Sequence, residues 1–137
     1  MKKFISTERK GFKMTFENGL TISVQWGFMN YCDNKCYTLN EINEDHMLCK
    51  HDVESDTAEI AIILEDHFLN PYNILGIKDP SDELYKAPYV MGYLTPDEVL
   101  DIMNRVKSID KKKVDELRME INGITQYIFN KISKIFP

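Results

Sequence analysis

The stretch from Gly11 to Gly27, GFKMTFENGLTISVQWG, carries two period-two runs on either side of an Asn-Gly corner. Phe12, Met14 and Phe16 alternate with Lys13, Thr15 and Glu17; Leu20, Ile22, Val24 and Trp26 alternate with Thr21, Ser23 and Gln25. This pattern specifies an antiparallel strand pair with one buried face. A two-residue loop at Asn18-Gly19 would set Phe16 against Thr21 and Met14 against Ser23, apolar opposite polar. Register follows the buried face, so the expected loop is Glu17-Asn18-Gly19, with Gly19 left-handed in a G1 bulge. Phe16 then pairs with Leu20, Met14 with Ile22 and Phe12 with Val24. The hairpin is scaffold, and Trp26 leads the chain out of it.

Residues 57–65 (TAEIAIILE) are β-branched and apolar on both faces, which predicts a central strand. Pro71 prevents strand continuation in a turn over 66–73, and 74–77 reads as a short strand broken by Gly76. Residues 79–82 (DPSD) read as another turn. Residues 89–94 (YVMGYL) predict a strand in which Gly92 marks a bulge or a close backbone approach. A helix start follows: Thr95 caps, Pro96 takes the first position, Glu98 completes a capping box, and Leu94 and Val99 form a hydrophobic staple. Its buried stripe is Val99, Ile102, Met103 and Val106, ending near Ser108. Residues 28–53 have no sustained period and read as a long irregular connection, with a short strand at 36–39.

Residues 111–136 predict a second helix. Val114, Leu117, Ile121, Ile124, Ile128, Ile132 and Ile135 form a nearly heptad seam. Met119, Tyr127, Phe129 and Phe136 lie partly off it, so the helix is apolar over more than one stripe. Either all of it packs within the monomer, or one face meets a second copy. The expected whole is one α+β domain over 1–137: an antiparallel sheet of four or five strands with the capped helix over 11–108, and a C-terminal helix over 109–137 that packs or projects.

The formal net charge is −5, unevenly spread. Glu41, Glu44, Asp45, Asp52, Glu54, Asp56, Glu59, Glu65 and Asp66 are opposed between 40 and 66 only by Lys50, whereas the C-terminal part is basic. An acidic middle argues against wrapping a nucleic-acid backbone and fits a basic protein surface, or simply a solvated loop. No apolar run approaches the roughly 20 residues that span a bilayer, and the start, MKKFISTERKGF, lacks the apolar segment of a signal peptide. A cytosolic chain with reduced cysteines is expected.

Cys32, Cys36, His46, Cys49 and His51 supply enough ligands for tetrahedral zinc, although C-x3-C is not the usual knuckle; reduced thiols with loop histidines are the alternative. No nucleophile elbow, P-loop or G-x-G-x-x-G after a strand is present, so no enzyme, catalytic residue or cofactor is expected. Trp26, Asn30 and Tyr31, at the mouth of the loop, are candidate contact residues. Arg105 is a candidate phosphate partner, or a helix-end cation placed favourably against the dipole.

The blocks FENGLTISVQWG, NYCDN (30–34), DTAEIAI (56–62) and GYLTPDEVLDIM (92–103) together resemble a family of small proteins encoded by tailed phages and prophages. The resemblance spans residues 11–107 with gaps and omits Cys36, Cys49, His51 and the helix after Ser108. It implies a phage or prophage origin. By analogy, small accessory phage proteins act on host machinery, defence systems included, by stoichiometric binding. The expected function is a host-cytosol inhibitor that contacts a host protein through Trp26, Asn30, Tyr31, Glu41, Glu44, Asp45, Asp52, Glu54 and Asp56, with Arg105 beside them. It neither enters a membrane nor binds nucleic acid directly, and its C-terminal helix is the candidate homo-oligomerisation element. The alternatives are an oligomeric sponge for a nucleotide signal, with Arg105 on phosphate, and a zinc-ordered interaction module.

Overall fold

Gly19 takes a φ of +96°, and the Phe16 amide donates to Leu20 O at 2.9 Å, which closes the hairpin on a three-residue loop. The structure, a computed structural model, describes residues 3–35, 53–79 and 89–136. Its strands are β1 (Phe4–Ser6), β2 (Gly11–Thr15), β3 (Thr21–Gln25), β4 (Ala58–Leu64), β5 (His67–Leu69) and β6 (Met91–Leu94). Its helices are α1 (Pro71–Leu75), α2 (Pro96–Lys107) and α3 (Lys111–Ile135). The fold is α+β, one antiparallel sheet in the order β1-β2-β3-β4-β5, with β6 also paired to β4. Phe12 pairs with Val24 and Met14 with Ile22, as the buried face demands.

β4 is central: Val24 meets Ile60 and Ile22 meets Ile62 across β3, while β5 and β6 share its other edge. Ile22, Ile60, Ile62 and Leu64 are fully buried with Val106 and Val114 of the helices. Each such side chain stabilises the fold by about 1.5–3 kcal/mol. The other sheet face carries Lys13, Ser23, Gln25, Glu59 and Ala61.

Two expectations are corrected. Residues 66–73 are not a simple turn, because Glu65 and Asp66 both adopt positive φ in a tight reversal that lays β5 against β4. Residues 74–77 are not a strand: Asn70 caps α1 through Tyr72 N and Asn73 N, and Gly76 ends it in the left-handed region at φ 67°. β1 was not expected either, which brings the sheet to six strands. The strand expected at 36–39 and most of the 79–82 turn lie outside the described residues.

α2 begins as expected, with Glu98 N donating to Thr95 Oγ1 and Thr95 N donating to Glu98 Oε1. The Thr95 backbone N–H, and secondly its hydroxyl, hold the Glu98 carboxyl below the usual carboxylate range. The end of α2 is held by the hairpin loop. Asn18 is buried; its Nδ2 donates to Val106 O at 2.9 Å, Lys107 O at 3.3 Å and Ile109 O at 3.0 Å, and its Oδ1 accepts from Leu20 N. One side chain thus fixes its own turn, terminates α2 and sets the entry to α3. α3 both packs and projects. Val114 is buried, Leu117 and Ile121 are partly buried, and every described residue beyond Ile121 is exposed. Arg118 ties its inner half to Glu65 and to Asp115.

Candidate functional site

The segment after β3 is tied down by its own polar side chains. Trp26 Nε1 donates to Val53 O at 2.8 Å, and Asn34 Nδ2 donates to Trp26 O and Glu54 O. Asp33 N donates to Thr57 Oγ1. The buried Glu59 carboxylate accepts from Tyr31 N at 2.7 Å and Asn30 Nδ2 at 3.2 Å. On the far side Tyr93 N donates to Tyr31 O, and a Cβ at Gly92 would stand 2.7 Å from Tyr31 Cβ, so the close approach expected at Gly92 is to this loop.

This bracing shapes a cleft of about 380 Å³ between the sheet and α2. Its floor is Phe12, Val24 and Trp26, the two rings meeting edge-on at 6.4 Å and 68°. Val99, Leu100 and Met103 of α2 form the facing wall, and Ser55, Asp56 and Thr57 the polar rim. Leu100 remains 58% exposed at the cleft mouth. A concave apolar lining with a few polar groups at one edge suits an apolar anchor side chain better than a charged metabolite. On the opposite sheet face lies a larger depression of about 540 Å³, lined by Lys10, Gln25, Asn30 and Glu59 among others. Most of its central polar groups are spent internally, Lys10 on Glu8 at 3.5 Å, Gln25 on Ser23, Asn30 and Glu59 on each other, while Thr7 Oγ1 in its lining is buried without a hydrogen-bond partner among the described residues. The apolar cleft is therefore the better candidate despite its smaller volume.

Of the residues expected to make contact, Trp26 and Asp56 come together at the cleft, with the exposed Glu54 close by in sequence. Asn30 has both side-chain polar ends committed, to Gly27 N and to Glu59. Tyr31 is 38% exposed, with Lys35 Nζ 5.0 Å from its ring centroid. Arg105 lies along α2 with Asp101 at 3.8 Å and does not line the cleft. Glu41, Glu44, Asp45 and Asp52 lie outside the described residues. The contribution of Leu100 was missed, although an apolar residue adjacent to but off the Val99–Ile102–Val106 stripe was the available signal.

Cys32 is buried, its Sγ donates to Gly27 O at 3.4 Å, and burial pushes the thiol pKa up, with Glu59 and Asp33 adding to the rise. A thiol held protonated is a poor nucleophile and a poor metal ligand. Among the described residues no three His, Cys, Asp or Glu side chains are grouped to hold a metal ion; Cys36, His46, Cys49 and His51 lie outside them. Nor is any helix among the described residues long and apolar enough to cross a membrane. Comparison with protein-family models, curated proteins and solved structures returns no match for this chain.

Proposed function

We propose that this chain is a non-enzymatic phage or prophage accessory protein that binds a component of host machinery, antiviral defence included, and inhibits it stoichiometrically in the host cytosol. The observation that carries this reading is the apolar cleft with Leu100 exposed at its mouth beside Asp56. An apolar side chain of the partner enters between Trp26 and Met103, and basic residues flanking it face Glu54 and Asp56. Desolvated apolar anchors supply most of the energy of such contacts, while rim charges steer encounter and reject wrong partners. The resemblance of the sequence blocks to phage-encoded proteins supports the host as the source of the partner. The same acidic surface disfavours direct nucleic-acid binding. Self-association through α3 belongs to the same reading.

The test is capture from bacterial host cytosol with tagged protein, read by native mass spectrometry. The expected result is one host protein retained in equal stoichiometry, with at least tenfold weaker retention by Leu100→Lys, a cost of about 1.4 kcal/mol. Leu100 is exposed enough for that change to leave the fold intact. Equal retention by Leu100→Lys would remove the cleft from the contact surface. A retained small anionic ligand in place of a protein would transfer the function to the nucleotide sponge.

A further inference from the structure

From Ile121 onward, α3 lacks what normally keeps a helix folded in water. The run INGITQYIFNKISKI contains no Ala, Leu, Met or Glu, is rich in β-branched isoleucine, and includes Gly123. Apart from Gln126, Lys131 and Lys134 these residues are weaker helix formers, and a free segment of roughly 15 residues is marginal even with strong ones. Yet it is helical to Ile135, with Ile124, Ile128, Ile132 and Ile135 between 51% and 68% exposed. Helicity here calls for a packing partner.

The spacing identifies the partner. Ile121, Ile124, Ile128, Ile132 and Ile135 follow one another at three, four, four and three residues, a pattern that reads the same in both directions about Ile128. At 100° per residue all five fall within about 40° of the Ile128 direction. A two-fold axis maps residue i onto j and j onto i, so an interface between two copies of one helix run antiparallel needs this palindrome. Ile121 then meets Ile135 of the second copy, Ile124 meets Ile132, and Ile128 meets itself. The body of the protein selects the same register independently. Ile121 is the outermost residue of α3 that is still partly covered, so a second helix reaches that far and no farther.

Charge agrees. Glu120, Lys131 and Lys134 lie on one flank of the seam, and an antiparallel two-fold brings like flanks side by side. Glu120 and Lys134 of the second copy then differ by two residues in level, about 3 Å at 1.5 Å rise. In a parallel pair Glu120 would instead face the flank carrying Thr125 and Arg118, and Arg118 is already engaged by Glu65 and Asp115. We propose that the projecting half of α3 binds a second copy of itself, antiparallel, across a two-fold axis at Ile128. The inference rests on the proposed function only where that includes self-association; the cleft takes no part in it.

Sedimentation equilibrium of the full chain is expected to give a dimer, with Ile128→Asp weakening it at least 100-fold and Leu100→Lys leaving it unchanged. Orientation is read by oxidative cross-linking in a Cys32→Ala, Cys36→Ser, Cys49→Ser background. A mixture of Ile121→Cys and Ile135→Cys chains should cross-link, and Ile121→Cys alone should not, its two thiols standing about 21 Å apart. Should that background fail to fold, charge exchange in the native chain answers the same question. Glu120→Lys and Lys134→Glu each weaken the dimer several-fold, and the double variant restores it. A monomer at 100 µM, a parallel cross-link through Ile121→Cys alone, or a lack of restoration by the double variant would each overturn the proposal. So would a monomer that binds anionic lipid vesicles, which would make the seam a membrane-surface helix.

Discussion

Asn18→Ala is expected to cost about 2–4 kcal/mol in chemical denaturation, among the largest effects of any single polar substitution in this chain. The side chain occupies a buried position where two elements end together. Removing it strips Val106 O, Lys107 O and Ile109 O of their shared donor and Leu20 N of its acceptor. Of the groups left behind, Val106 O and Leu20 N belong to buried residues, so their desolvation is not recovered. Asn18→Asp is the sharper variant. A carboxylate there faces three carbonyl oxygens at the negative end of the α2 dipole, which raises its folded-state pKa above the unfolded value. Stability held by the protonated form is present below the ordinary carboxylate range and lost as pH rises through the folded pKa. The deficit of Asn18→Asp relative to wild type should therefore be small at pH 3 and exceed that of Asn18→Ala at pH 7.

Glu59→Ala is expected to lose about 2–3 kcal/mol, because charge-assisted bonds to Tyr31 N and Asn30 Nδ2 both vanish. The consequence is more local than for Asn18. Tyr31 loses its brace on one side while keeping Tyr93 N on the other, so the loop loosens where it adjoins Trp26. Amide exchange at Tyr31 and Cys32 should accelerate well beyond the change at Ile60 and Ile62. Glu59→Gln, which keeps an acceptor, should recover more than half of the stability. Uniform acceleration across β4 would mean that Glu59 supports the sheet rather than the loop.

Much of this architecture is legible in the residues because local rules agree there. The hairpin register follows from which side chains must share a face, and the start of α2 from a cap, a proline and a glutamate at fixed offsets. The reversal between β4 and β5 was hidden, since Glu65 and Asp66 take positive φ without the glycine or asparagine that usually signals it. Residues 71–75 were misread for a related reason: a five-residue helix is too short to show a period, and its cap and stop were the only signals. The cleft was less visible still. Trp26 and Asp56 were singled out as an aromatic and an acid, but the wall opposite them belongs to α2, and no sequence pattern says which end of the sheet a helix will cover. Asn18 looked like turn chemistry alone, because its role depends on carbonyls some 90 residues away.

The central claim is that the cleft between Trp26 and α2 is the surface through which this protein holds its target. Amide hydrogen exchange of the protein, free and saturated with the captured host protein, addresses it directly. Protection should rise at Ser55–Ala58 and along Val99–Met103, with the strand backbones of β2 and β3 little changed. Protection confined to the opposite sheet face around Lys13, Ser23 and Gln25, with Val99–Met103 unaltered, would contradict it.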